Sequence, residues 1–273
     1  MKSIKITNPD KVLFPGDDIT KMDVVQYYVD VSNEMLKFAT NRVLSAIRCH
    51  ENILGELFFK KHPQTEQYVK TTQISDAEYF YITDLLGLVE QVQNGTLEFH
   101  TSPHPVSNES QTSIMVFDLD PDENLPLKKL QESTLLIKNL LDELGLESFV
   151  KTSGGKGYHI LVPFKAVKNQ DKFYEFSKNI AELAKQNWPN VFTTNIKKVE
   201  RKNKIFVDYL RNNKTSSCAC VYSIRAKKSA PVSFPISWEN LKKIKPNEIT
   251  IKNYKKYINN SWQNFFKLNQ KIK

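Results

Sequence analysis

"KTSGGKGYH", residues 151–159, places three of the chain's 8 glycines in nine residues, with two lysines, a serine and a histidine between them. The apolar run Ile160-Leu161-Val162 follows, and Ser148-Phe149-Val150 precedes it. Both flanks read as strands. That reading decides the fold class. A P-loop needs four residues between its first glycine and Gly-Lys-[Ser/Thr], and the dinucleotide fingerprint needs a glycine where Ile160 stands. Both of those motifs lead from a strand into a helix, whereas this turn leads from strand to strand. Two readings follow from the residues: a tight hairpin, for which Gly-Gly is common, or a nest of backbone N–H groups around an anion. In the second, Gly154, Gly155 and Gly157 supply amides, Ser153 a hydroxyl, and Lys156 and His159 charge or donors.

A second stretch carries acids. Ile114-Met115-Val116-Phe117 reads as a buried strand that ends in Asp118-Leu119-Asp120-Pro121. Residues two apart on a strand share a face, here roughly 6–7 Å apart. Carboxylates that close repel unless a cation lies between them, so the pair is a candidate divalent-metal site built of hard oxygen ligands. Asp208, in the apolar run Ile205-Phe206-Val207-Asp208-Tyr209, is costly to bury alone. Beside Asp118 and Asp120 it completes a three-carboxylate site for two metals, an arrangement suited to phosphoryl and nucleotidyl transfer.

Outward from these motifs, helical and extended patterns alternate with short links. Thr20-Lys21-Met22-Asp23 reads as a capping box, followed by Val24, Tyr27, Tyr28, Val31 and Met35 at helical spacing. Residues 43–49, 56–61, 67–71 and 79–82 read as short strands, 84–94 as a short helix, and 101–112 as a loop rich in Ser, Pro and Asn. Residues 127–144 read as a helix closed by Gly145, and Phe173, Phe176, Ile180 and Leu183 mark another. Residues 205–210 and 219–224 read as strands. The whole is α/β: a mixed or antiparallel sheet carries the acids, and helices pack against it.

The chain of 273 residues is 40% hydrophobic and 25% charged, as in ordinary soluble proteins. It lacks an apolar stretch long enough to span a bilayer and an N-terminal signal-peptide pattern. Cys49, Cys218 and Cys220 do not have zinc-knuckle spacing. A reduced, cytoplasmic, nucleoid-associated protein is expected, with no membrane partner. The net charge of +9 is concentrated in residues 241–273, where nine lysines face one acid, Glu248. This extension, beyond a catalytic unit spanning residues 1–240, reads either as a solvated helical face or as a surface for polyanions. Its interleaved aromatics argue that it folds on or beside that unit.

Taken together, Asp-Leu-Asp at 118–120, Ser-Gly-Gly-Lys-Gly-Tyr-His at 153–159 and the strand acid at 208 resemble the three motifs of archaeo-eukaryotic primase-polymerases. Within that superfamily they are most similar to the polymerase domain of bacterial ligase D, which works in non-homologous end joining. The resemblance runs through "TNPDKVLFPGDDITK", "GELFFKKHP", "GTLEFH", "VFDLDP", "ESFVKTSGGKGYHI", "IFVDYLRN" and "YSIRAKKSAPVS", over roughly residues 5–240. It implies an archaeo-eukaryotic primase-like core. Asp118, Asp120 and Asp208 would bind two divalent ions, Mn2+ in the first place with Mg2+ as the alternative. Ser153, Gly154, Gly155, Lys156, Gly157 and His159 would hold the triphosphate of an NTP or dNTP, with His100, Arg211 and Arg225 lining its pocket. Lys11 and Lys21 match lysines that grip the 5′-phosphate at a DNA end or gap, and Phe58 and Phe59 match an aromatic pair that stacks near the template. By itself Lys11 or Lys21 reads as a surface lysine, and Phe58 or Phe59 as core.

The implied activity is templated addition of nucleotides, ribonucleotides by preference, to a primer 3′-hydroxyl in end-joining repair. The implied partners are double-stranded DNA ends or gapped DNA, Ku and a separate ATP-dependent DNA ligase, since no ligase or nuclease pattern follows residue 240. Two departures touch nucleotide contacts. Thr101-Ser102-Pro103 stands where the family continues with Pro-Trp, and Lys227 stands where it has a second arginine, which loses the planar fork. The rival readings are a stand-alone primase indifferent to a 5′-phosphate and a non-catalytic module that bridges DNA ends.

Overall fold

The computed structural model describes residues 3–62, 66–107 and 112–272. Pro63, residues 108–111 of the expected 101–112 loop, and Lys273 lie outside the described residues. In chain order the elements are β1 (Val12–Phe14), β2 (Ile19–Thr20), α1 (Lys21–Ala39), β3 (Arg42–Cys49), β4 (Leu57–Lys60), β5 (Lys70–Ile74), β6 (Ala77–Tyr81), α2 (Leu85–Gln93), β7 (Thr96–Pro105) and β8 (Ser113–Pro121). They continue with α3 (Leu127–Glu143), β9 (Phe149–Thr152), β10 (Tyr158–Phe164), α4 (Gln170–Asn187), β11 (Phe192–Thr193), β12 (Ile205–Asp208), β13 (Cys218–Ala219) and β14 (Pro235–Ile236).

Two sheets carry the molecule. One has the strand order β11-β12-β8-β10-β9-β14 and the other β13-β7-β3-β4. All pairs in them are antiparallel except β11 with β12. The fold is thus mixed α/β with a mostly antiparallel acid-bearing sheet. The helices obey local rules. Thr20 caps α1 by accepting from the Asp23 amide while Asp23 accepts from the Thr20 amide. Val24, Tyr27, Tyr28, Val31 and Met35 on that helix are buried. Past the end of α3, Gly145 adopts φ 72°. Its amide and that of Leu146 donate to the carbonyls of Asp142 and Leu141, a Schellman closure.

Several local expectations fail for identifiable reasons. The strand expected at 67–71 lies at Lys70–Ile74, because the Gln67 and Tyr68 amides donate instead to the Glu90 carboxylate. Residues 101–105 are strand rather than loop: β7 continues alongside β3 to the Arg42–Pro105 pair. There the buried Arg42 guanidinium donates to the carbonyls of Ser102, Pro103 and Thr112. The strand expected at 219–224 stops at Ala219; Tyr222 turns the chain at φ 69°. β12 stops at Asp208 because the Leu210 amide donates to the Asp208 carboxylate, and a 3-10 turn, Leu210–Asn212, follows. No α-helix forms among residues 241–272, so the helical-face reading of the extension fails. Leu241, Ile244, Ile249, Tyr254 and Phe265 anchor it in the same core as the sheets, and Lys242, Lys243, Lys245, Lys252, Lys255, Lys256, Lys267 and Lys271 are exposed.

Candidate active site

Register creates the site. Asp118 on the central strand β8 lies opposite Asp208 of β12 on one side and His159 of β10 on the other. His159 in turn lies opposite Lys151 of β9. Directly paired residues present side chains on one face, about 4.5–5.5 Å apart at Cβ. Lys151, His159, Asp118 and Asp208 therefore form a row across four strands, and Asp120, two residues along β8, shares its face.

Cations surround the acids. Arg211, carried back by the 3-10 turn after β12, places Nε 2.9 Å from Asp208 Oδ2 and 4.0 Å from Asp118 Oδ2. His159 Nε2 is 3.3 Å from Asp118 Oδ1. Arg201 Nη1 donates to Asp120 Oδ2 at 2.9 Å while its guanidinium lies 3.9 Å over the Phe206 ring. Burial would raise the Asp118 carboxyl, but His159 and Arg211 outweigh it and hold the group well below the usual carboxylate range. Burial and the nearby Asp118 charge push Asp120 up, and Arg201 offsets only part of this. Asp208 is also pushed up by burial, with Arg211 opposing and Asp118 adding to the shift. Two acids whose ionised forms are disfavoured beside a third that stays charged fit a site that gains from a divalent cation. The donors are hard carboxylate oxygens, which suits Mg2+ or Mn2+. Cys218 Sγ also approaches, 3.3 Å from His159 Nδ1, so that Asp118, His159 and Cys218 offer ligand atoms within 4.8 Å of one another.

The glycine turn differs from a free nest. The amides of Gly155 and Gly157 both donate to Ser153 Oγ, at 3.0 and 3.2 Å, and the Gly154 amide donates to the Pro246 carbonyl at 2.9 Å. The three amides are engaged within the protein, and the stretch is a hairpin turn between β9 and β10. The glycines are needed for close approach. A Cβ on Gly157 would stand 1.9 Å from the Leu119 carbonyl oxygen of β8, and one on Gly154, at φ 67°, would stand 2.6 Å from Arg225 Cγ. Lys156 projects away and pairs with Glu123 at 2.8 Å.

The remaining nucleotide-pocket candidates meet on Glu98, a residue that the sequence reading missed. His100 Nε2 and Arg225 Nε lie 2.8 and 2.9 Å from its Oε2, and the Ala226 amide donates to Oε1. Arg225 Nη1 also donates to the Ser153 carbonyl at 2.7 Å, tying this cluster to the glycine turn. Burial would raise Glu98, but His100 and Arg225 hold it down at about 2. Lys151 and Arg201 were missed as well. Glu98 is an acid between Leu97 and Phe99 in "LEFH", the kind of apolar setting that singled out Asp208, and hairpin register around 153–157 places Lys151 opposite His159. Arg201 had no sequence signal.

Lys11 and Lys21 stand apart from the acids and close to each other. The turn between β1 and β2 brings the Lys21 amide to the Lys11 carbonyl at 2.8 Å, and both side chains line a cleft of about 250 Å3 with Asn8, His50, Gln93 and Asn94. Lys11 Nζ donates to the His50 carbonyl and Lys21 Nζ to that of Thr7. Burial and the charge of Lys11 lower the Lys21 pKa. The first amides of α1 are not free for an anion: those of Lys21, Met22 and Asp23 donate to Lys11, Pro9 and the Thr20 hydroxyl. Phe58 and Phe59 on the edge strand β4 are 37% and 63% exposed, not core. The Phe58 ring lies 4.7 Å from that of His50, so the aromatic pair adjoins the lysine cleft.

Residues 20–265 match the protein family described as the LigD primase-polymerase domain. Over 244 residues the chain is 35% identical to the multifunctional non-homologous end joining protein LigD of Pseudomonas aeruginosa, covering 87% of this chain and 29% of that protein. It is 28% identical over 241 residues to the bifunctional non-homologous end joining protein LigD of Bacillus subtilis, covering 87% of this chain and 39% of that one. The chain thus spans roughly a third of the length of the curated relatives it matches. The solved polymerase domain of Mycobacterium tuberculosis ligase D, in complex with DNA, superposes with a TM-score of 0.85 at 26% identity over 93% of both chains. Among the described residues, no helix is long and apolar enough to cross a membrane.

Proposed function

The chain belongs to the LigD primase-polymerase domain family, and on that premise we propose that it is a template-directed nucleotidyltransferase that fills DNA ends or gaps bearing a 5′-phosphate. The observation that carries this reading is the cross-strand placement of Asp118 beside Asp208, with Asp120 on the same face and Arg211 bridging. Asp118, Asp120 and Asp208 would hold two divalent ions, which supply a Lewis acid for the primer 3′-hydroxyl and charge to offset the pentavalent phosphoryl group. Arg211, half-exposed at the rim, and Arg225, with Ser153 beside it, face the triphosphate. Arginine supplies forked donors suited to phosphate oxygens. Glu98 holds His100 and Arg225 in fixed orientation, so that little reorganisation remains when the nucleotide binds. Ribonucleotides are the preferred substrates in this reading, Mn2+ the preferred ion, and Ku and a separate ligase the partners in end joining. The exposed lysines of residues 241–272 extend the basic surface toward the DNA backbone.

The end-joining part rests on Lys11 and Lys21. A terminal phosphate monoester carries close to two negative charges, against one for an internal phosphodiester, and two ammonium groups on one cleft favour the former. Because the α1 amides are engaged, the lysines alone must discriminate. Wild type is expected to bind a gapped duplex with a 5′-phosphate about tenfold more tightly than its 5′-hydroxyl twin, at one fixed salt concentration. The Lys11→Ala, Lys21→Ala double variant is expected to lose that difference and still extend a simple primer-template. Equal wild-type binding to both duplexes would favour the primase that ignores the 5′-phosphate.

A further inference from the structure

We propose that Lys151 is a positioning residue for this site: it holds His159 with its Nε2–H aimed at Asp118, and so sets the orientation of the central acid. This inference rests on the reading of Asp118 as part of the reaction centre. Lys151 is 1% exposed. Its ammonium group donates to His159 Nδ1 at 2.8 Å, to the Ala219 carbonyl at 3.0 Å and to the Ser233 hydroxyl. All three partners have an atom that can accept, and among the described residues no carboxylate lies within ion-pair reach of Nζ. A buried ammonium without a counter-ion is costly, and burial lowers its pKa to about 8. An apolar side chain of similar length would fill the same volume without that cost, so packing does not explain a lysine here.

Direction follows from the donor inventory. An ammonium group donates and cannot accept, so Nδ1 of His159 must be the acceptor and the ring proton sits on Nε2. That proton points at Asp118 Oδ1, 3.3 Å away. The other oxygen, Oδ2, is the one that faces Arg211. Without Lys151, the ring could place its proton on Nδ1, toward the Cys218 sulfur 3.3 Å away, and turn a bare Nε2 lone pair against the carboxylate. The glycine turn sets this chain of contacts: five residues, 153–157, separate the Thr152–Tyr158 pair, which brings Lys151 opposite His159, and β8 then brings Asp118 opposite His159.

The first test needs no variant. Nitrogen-15 NMR of the His159 ring in metal-free wild type should show Nε2 protonated and Nδ1 bare; a proton on Nδ1 with Nε2 bare would overturn the assignment. The second test uses Lys151→Met. Mn2+ affinity, measured by calorimetry without DNA or nucleotide, is expected to fall about tenfold, the scale of losing an outer-shell partner. The kcat for extension should fall with it, and the nucleotide KM should stay within about twofold. In a His159→Ala background the same substitution should have no further effect on Mn2+ affinity. Wild-type Mn2+ affinity in Lys151→Met, or a full additional loss in the His159→Ala background, would also overturn it. If wild type binds no Mn2+, the metal reading of the acids falls, and the ring-proton measurement still decides the role of Lys151.

Discussion

Asp118→Ala is expected to reduce primer extension by at least about 100-fold, with affinity for the DNA duplex held within about twofold. Of the three site acids, Asp118 is the one paired with both flanking strands: it lies opposite Asp208 and His159, and it shares Arg211 with Asp208. Its carboxyl is the one held fully ionised, below the usual range. Removing it takes away the ligand common to both halves of the site. The same change lowers repulsion toward DNA phosphates, so binding should not suffer. Gel-resolved extension and duplex binding, measured in parallel on the folded variant, check both halves. Activity above a few per cent of wild type would move the reaction centre away from these acids.

Gly157→Ala is expected to destabilise the protein by at least about 3 kcal/mol, seen as a fall of roughly 6–12 °C in the thermal midpoint. The added methyl group would sit 1.9 Å from the Leu119 carbonyl oxygen, backbone of the adjacent strand, with Pro121 Cδ only 3.4 Å away. No side chain can swing aside; β8 and β10 must part where they hold Asp118 against His159. Activity should fall with stability. A midpoint within about 2 °C of wild type would show that the two strands are not as close as described. Gly155→Ala is the contrast: its Cβ would meet only the mobile end of Lys227, at 2.9 Å, and the Ser153 hydroxyl.

These two residues mark how far the sequence was legible. Asp118, Asp120 and Asp208 could be read because each is an acid set in an apolar run, an environment that ordinary packing does not tolerate. The family resemblance, the α1 capping box and the Gly145 helix end were legible for the same reason, since local chemistry alone specifies them. The sequence left the hairpin and the anion nest both open, because which groups accept from the glycine amides is decided by the folded turn and not by the residue types. Ser153 folds back on Gly155 and Gly157, and the acceptor for Gly154 is Pro246, 92 residues on in the chain. Pro9 and Lys11 engage two of the first α1 amides, contacts that the capping-box pattern alone does not reveal. Phe58 and Phe59, read as core when taken alone, are exposed because β4 is an edge strand with partner β3 on one side only. Arg201 could not be found at all: its contact with Asp120 spans 81 residues and depends on the loop between β11 and β12.

Primer extension on a gapped duplex tests the central claim most directly. The substrates carry or lack a 5′-phosphate at the downstream strand, and ribo- or deoxynucleotides are supplied with Mn2+, Mg2+ or a chelator. The three-acid site predicts extension that follows the template and stops with the chelator; the family resemblance adds faster extension with Mn2+ and ribonucleotides, and the Lys11–Lys21 cleft adds stimulation by the 5′-phosphate. Absence of templated extension with either ion, from folded protein that still binds and bridges the DNA ends, would contradict it and leave the non-catalytic end-bridging module as the better description.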